Sequence, residues 1–308
     1  MRILLLGANG QVGTELQRSL APLGELVAGT RDGRLKDGTA CEVADFDAPA
    51  RLERLVAKVA PHAVVNAAAY TAVDRAESEP EAAFRANAQA PEAIARACAA
   101  RDALLIHYST DYVFDGSASQ PYREDHPTSP LGVYGASKLA GETAIVQSGA
   151  RHMIFRTSWV YAAHGHNFLL TMLRLAAERD ELRVVADQVG SPTSAAHIAD
   201  TTAAILAQGQ GRTGLWHLTC SGRTSWHGFA EAIMAGAVER GLLRRAPDVV
   251  PIRTADYPTP AARPAFSVLD SGRLHDDFGV PALAWQDALA GVLDALAATG
   301  ARARTADG

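Results

Sequence analysis

The chain has 308 residues, 48% hydrophobic and 20% charged, with 29 basic against 34 acidic side chains. That is enough apolar chain for one large core or two intimate lobes, and a net charge of −5 without basic runs excludes a binder of phosphate backbones. The apolar start at 3–6 is too short for a secretory h-region, no stretch approaches a membrane span, and the odd, scattered Cys41, Cys98 and Cys220 fit no disulfide framework. A cytoplasmic protein is expected, with neither nucleic acid nor membrane as partner.

Short continuous apolar runs predict strands over 3–6, 26–28, 63–66, 103–107 and 152–155. Amphipathic stretches between them predict helices over 11–20, 48–59, 81–100 and 134–146. Ser78 stands as a cap candidate before Pro80, and Pro91 is expected to kink the helix it falls in. After about Val160 the pattern loosens. A strand at 183–186, a helix at 195–207 and a strand at 215–218 are expected, while the proline-rich 247–264 reads as ordered loop. The alternation implies right-handed βαβ crossovers. The expected fold is α/β: a doubly wound parallel Rossmann sheet from 1–160 with roughly 183–218, a smaller interleaved C-terminal substrate lobe from 161–182 and 219–296, and a fraying tail at 297–308.

The first strand runs into Gly7, Gly10 and Gly13, and then a helix. The first glycine permits the tight turn, the second lets backbone N–H groups approach a pyrophosphate, and the third lets helix and strand pack closely. The helix N-terminus then faces the anion. After the second strand come Thr30 and Arg31, with Asp32 two residues late. A carboxylate at the strand end selects NAD, and an arginine there suits the 2′-phosphate of NADP, so NADPH is expected ahead of NADH. Asp45 and Phe46 would flank the adenine, and the small Ala67, Ala68 and Ala69 leave room for ribose and phosphate.

Tyr134 and Lys138 lie four apart on a predicted helix and share a face. An ammonium beside a phenol favours the phenolate and is expected to lower the pKa of Tyr134. Thr110, ahead of that helix, would orient a substrate carbonyl, and Tyr134 would give the proton during reduction. His107, Ser109 and Asp111 alternate on an extended segment and cannot form an acyl-transfer relay. His164 and His166 have no cysteine or carboxylate partner at ligand spacing.

Seven segments together resemble the extended short-chain dehydrogenase/reductase family along nearly the whole chain. They are 7–17 (GANGQVGTELQ), 65–79 (VNAAAYTAVDRAESE), 107–114 (HYSTDYVF), 129–142 (SPLGVYGASKLAGE), 155–161 (FRTSWVY), 187–193 (DQVGSPT) and 257–264 (YPTPAARP). The resemblance implies reduction of the C4 ketone of a dTDP-6-deoxy-L-lyxo-4-hexulose by NADPH or NADH, the last step toward dTDP-L-rhamnose. It implies Tyr134 and Lys138 as catalytic pair and Thr110 at the ketone, with Asp111 and Trp159 on the sugar. Gln11, Val12, Asp45, Phe46, Ala69, Tyr70, Thr71 and Tyr108 would line the cofactor, and Arg263 would meet the nucleotide diphosphate. Some relatives dimerise around magnesium held by acidic side chains. One such position is Glu15, but another is Ala196, so activity without magnesium is expected and a homodimer stays open. A reductase or epimerase of another nucleotide sugar, or a non-catalytic regulatory subunit, would share the fold. The intact tyrosine–lysine pair with Thr110 argues against the subunit.

Overall fold

A computed structural model describes residues 1–209 and 211–300. In chain order the elements are β1 Arg2–Leu6, α1 Gln11–Leu20, β2 Glu25–Thr30, β3 Glu42–Val43, α2 Pro49–Val59, β4 Ala63–Asn66, α3 Val73–Ala76, α4 Pro80–Phe84, α5 Ala90–Ala99, β5 Leu104–Thr110, α6 Val133–Gln147 and β6 His152–Thr157. There follow β7 Val160–Tyr161, α7 Phe168–Glu178, β8 Glu181–Val185, β9 Val189–Gly190, β10 Thr193–Ser194, α8 Ala195–Ala207, β11 Gly214–His217, β12 Thr224–Ser225, α9 Trp226–Glu239, β13 Asp248–Ile252, α10 Gly272–Phe278 and α11 Trp285–Ala298.

Seven strands form one sheet in the order β11-β6-β5-β4-β1-β2-β3, and every pairing in it is parallel. The expected doubly wound sheet is therefore present. Its strands read as unbroken apolar runs because both faces are covered. Ile3 and Leu5 of β1 pack with Leu16 and Leu20 of α1 and with Ile198 of α8. Leu4 and Leu6 point the other way, into a cluster with Leu52 and Val56 of α2 and Ile94 of α5. The order reverses between β1 and β4, which opens a crevice at the C-terminal strand ends, where ligands bind in such sheets. A separate apolar cluster joins α7, β8, α9 and α11.

Several local expectations are corrected. The strand expected at 183–186 is β8, and it lies outside the main sheet: it pairs in parallel with β13, within the segment expected to be loop. Residues of β8 alternate between exposed and buried, the signature of a half-covered strand rather than a central one. A two-stranded sheet leaves each strand a free edge, where Pro251 costs no ladder bond. Ser78 does not cap α4; its hydroxyl donates back to the Arg75 carbonyl at 3.0 Å, and Glu79 occupies the cap. Ahead of Pro91 the helix passes through a π-helical turn at Arg85–Gln89. Proline has no N–H to return to the carbonyl four residues back, here that of Asn87, so the extra residue is absorbed there. The freed Asn87 carbonyl lies where a Cβ on Gly141 would come within 2.0 Å, so α6 packs directly onto it. Helix α11 runs to Ala298, with Leu296 buried just ahead of the expected tail. Positions 301–308 of that expected tail lie outside the described residues.

Candidate active site

The turn after β1 has the shape its glycines predict. Gly7 holds φ +80°, and a Cβ there would lie 2.7 Å from the Ala68 nitrogen; one on Gly13 would lie 2.0 Å from the Gly7 carbonyl oxygen. No side chain caps the first turn of α1, so its N–H groups are left to an anionic ligand. Beside the turn is a cavity of 160 Å³ whose lining includes Gly7, Arg31, Phe46, Ala68, Ala69 and Tyr70. These features fit a dinucleotide. Arg31 stands exposed at the rim, 3.7 Å from Asp47, which also lies 3.8 Å from Arg85. Asp32 turns away into its own loop, where the Thr30 hydroxyl donates to it at 3.0 Å and, with the Arg34 backbone, holds its carboxyl below the usual range.

Other expected cofactor residues are placed differently. The Oδ1 of Asp45 accepts the Asp47 N–H at 3.0 Å. Gln11 opens α1 with Val12, and its Oε1 accepts from Asn167 Nδ2 at 2.8 Å. Ala67 is half-buried and Thr71 exposed on the loop after β4. The Tyr108 ring lies in the apolar core and its hydroxyl bonds to that of Thr202 at 2.8 Å, so only its backbone reaches the site.

Strand β5 delivers Thr110 and Asp111 to the crevice, and α6 presents Tyr134 and Lys138 one turn apart beside them. The Thr110 hydroxyl donates to Asp111 Oδ1 at 3.0 Å and accepts the Tyr112 N–H at 3.2 Å. Asp111 is buried, its Oδ2 has no partner, and burial pushes its carboxyl up to about 6. Lys138 is 2% exposed, and its Nζ donates to the Tyr108 carbonyl at 2.7 Å. Burial brings it down to about 8, against the pull of Glu142 one turn on. The expectation that Lys138 lowers the pKa of Tyr134 is corrected. Desolvation pushes the phenol well above its ordinary value, the neighbouring Thr110 hydroxyl only partly opposes this, and the Asp111 charge adds to it.

Trp159, expected on the sugar, has the left-handed backbone angle φ +47°. Its ring stacks on Trp226 with centroids 3.5 Å apart and planes 4° from parallel. A Cβ on Gly190 would lie 2.5 Å from that ring. Trp226 also lines a cavity of 720 Å³ with Phe168, Arg179, Arg183, Tyr257 and Arg263. Arg263 is no open cation: Nη2 donates to Asp74 at 2.7 Å and Nη1 to the Tyr112 hydroxyl at 3.1 Å.

Two positioning residues escaped the sequence reading. Asn87, wholly buried, accepts the Tyr70 N–H at 2.8 Å and donates to the Tyr70 carbonyl and to Ser137 Oγ, each at 3.0 Å. It thereby ties the loop after β4 to α6. Glu77 accepts the Val133 N–H at 2.8 Å at the start of α6. An asparagine in an alanine-rich helix is the one signal for the first; the second rests on a contact 56 residues long.

Glu15 is engaged by His164 Nε2 at 2.9 Å and by Arg18 at 3.6 Å. Among the described residues no group of three or more His, Cys, Asp or Glu side chains gathers to hold a metal ion. The side chains around Glu15 therefore do not fit a magnesium site within one chain.

The chain matches the family described as RmlD substrate binding domain over residues 1–298. A dTDP-4-dehydrorhamnose reductase from Burkholderia thailandensis is 49% identical over 298 residues, covering 94% of this chain and 97% of its own. The crystal structure of a dTDP-4-dehydrorhamnose reductase from Clostridium acetobutylicum superposes with a TM-score of 0.87 at 34% identity, over 96% of this chain and 99% of that one. The Bacillus anthracis reductase in complex with NADP gives 0.86 at 32% identity with the same coverage. The chain belongs to the RmlD substrate binding domain family, and with it to the nicotinamide-dependent oxidoreductases.

Proposed function

We propose that the chain reduces the C4 ketone of dTDP-4-dehydro-L-rhamnose to the alcohol of dTDP-L-rhamnose, with NADPH as reductant. The observation that carries this reading is the meeting of Thr110, Asp111, Tyr134 and Lys138 at the end of β5, beside the glycine turn, in a chain 49% identical to a reductase of that name.

The glycine turn and the N-terminus of α1 hold the pyrophosphate, and Arg31 meets the 2′-phosphate. NADPH, when bound, supplies the hydride that reduces the ketone carbon. Tyr134 gives its phenolic proton to the ketone oxygen as the alcohol forms. Its raised pKa keeps that proton in place until charge develops on the oxygen. The Thr110 hydroxyl has one proton, now given to Asp111, and it orients the ketone by turning from the carboxyl to the substrate. Lys138 steadies the phenolate left on Tyr134 and holds the nicotinamide ribose. Trp159, on its Trp226 support, and Asp111 contact the sugar, while Arg263 meets the diphosphate after yielding Asp74.

The test is NADPH, and separately NADH, oxidation by the purified chain with enzymatically prepared dTDP-4-dehydro-L-rhamnose, and identification of the sugar formed. Rapid oxidation yielding dTDP-L-rhamnose supports the reading. Intact cofactor binding without oxidation would move it to another nucleotide sugar.

A further inference from the structure

Behind Lys138 lies a hydrogen-bonded row that the reaction described above does not use. The Ala68 N–H donates to Asn66 Oδ1 at 3.1 Å, which fixes the orientation of that carboxamide. Asn66 Nδ2 therefore faces His107 Nδ1, 3.0 Å away, as a donor. A ring nitrogen that accepts carries no proton, so a neutral His107 must carry its proton on Nε2. Nε2 lies 3.3 Å from Lys138 Nζ. Asn66 is 1% exposed, His107 0% and Lys138 2%, so water does not rearrange these roles.

The row decides which form of Lys138 fits. An ammonium has three donors and no acceptor, so it would set N–H against N–H at Nε2. A neutral amine gives one N–H to the Tyr108 carbonyl and offers its lone pair to His107. Protonating His107 instead is opposed by burial and by the charge of Lys138. The other ionisable groups around Lys138 are Glu142 and Tyr134, each one turn away on α6, and Asp111 at the end of β5. Glu142 is paired with Arg156 of β6, bonded at 2.7 and 2.9 Å.

We propose that Asn66 and His107 are positioning residues for Lys138: Asn66 locks His107 as the Nε2–H tautomer, and that N–H, set against the ammonium, eases the loss of a proton from Lys138. The lysine thus becomes a group that exchanges its proton in the working range rather than a fixed charge. The reaction part of this inference rests on the functional reading above; the tautomer and the state of Lys138 do not.

The experiment is NMR of the full chain with ¹⁵N-labelled histidine and ¹³C-labelled lysine, with signals assigned through His107→Phe and Lys138→Met. His107 is expected to show a bare Nδ1 and a protonated Nε2 from about pH 6 to 9. In His107→Phe, Lys138 is expected to titrate about one pH unit higher than in the parent, and the limb of the kcat/KM profile that it governs moves with it. A protonated Nδ1 in the parent overturns the proposal, a result that needs no folded variant. So does a Lys138 titration unchanged by His107→Phe. If the tautomer and the titration behave as stated while the parent turns over no dTDP-4-keto sugar, the proposal for Lys138 stands and the functional reading falls.

Discussion

Glu77 Oε1 accepts the backbone N–H of Val133 at 2.8 Å, and so the first turn of the helix that carries Tyr134 is capped from a loop 56 residues earlier. Gly132 leaves the space for it, since a Cβ there would lie 2.5 Å from the same oxygen. Glu77→Ala should lose about 1 kcal/mol, as for other lost helix caps, and should lower kcat with little change in NADPH affinity. Glu77→Gln, which still presents an oxygen, should restore most of both. Denaturant unfolding and steady-state kinetics on the pair decide it.

Tyr134→Phe removes one hydroxyl and little volume. It should bind NADPH as the parent does and lose about 10²- to 10⁴-fold in kcat, the usual worth of a positioned general acid. Turnover near that of the parent would remove Tyr134 from the reaction.

Arg31 is an exposed cation at the rim of the cavity beside the glycine turn, loosely shared with Asp47. Arg31→Ala should raise the KM for NADPH about tenfold, the equivalent of roughly 1.4 kcal/mol, and leave that for NADH in place. Equal effects on both cofactors would exclude a 2′-phosphate contact.

The Glu142–Arg156 pair joins α6 to β6 as a buried salt bridge, with both side chains 4% exposed. Removing one partner leaves an unpaired buried charge. Glu142→Gln should therefore destabilise the fold by about 3–5 kcal/mol, read by denaturant unfolding. Replacing both with apolar residues should cost much less.

Asp111 gives a pH signature. Its folded pKa is raised from 3.8 to about 6, so between those values the folded state holds more protons than the unfolded one. Stability from this group is thus full below pH 4 and is lost as pH rises through 6, by about 2–3 kcal/mol in all. Asp111→Asn should flatten that part of the stability–pH curve and be the more stable protein at neutral pH. An unchanged curve would mean that the carboxyl is better solvated than its burial implies.

The sheet was legible because its strands are continuous apolar runs with glycine, proline and amphipathic helices between them. The shape of the glycine turn and the gathering of Thr110, Tyr134 and Lys138 were legible because they depend on spacing along one turn or one strand end. What was not legible depends on tertiary neighbours. Burial, not the nearby lysine, sets the proton affinity of Tyr134. The side chain of Tyr108 is claimed by Thr202, and Arg263 by Asp74 and Tyr112. The strand at Asp248–Ile252 was hidden because its partner, β8, comes 67 positions earlier and Pro247 and Pro251 read as loop.

The stack at Trp159 has a consequence for how substrate range changes on this scaffold. The indole keeps its place over a strained backbone angle, which costs on the order of 1–3 kcal/mol, because position 190 lacks a side chain and Trp226 lies against its other side. Even one methyl at 190 must push the ring aside, since it would lie 2.5 Å from the indole. With Trp159 on the sugar as proposed, selectivity and hydride chemistry become separately mutable: a single atom added behind a tryptophan is expected to change which sugar is accepted while the proposed proton donor stays in place.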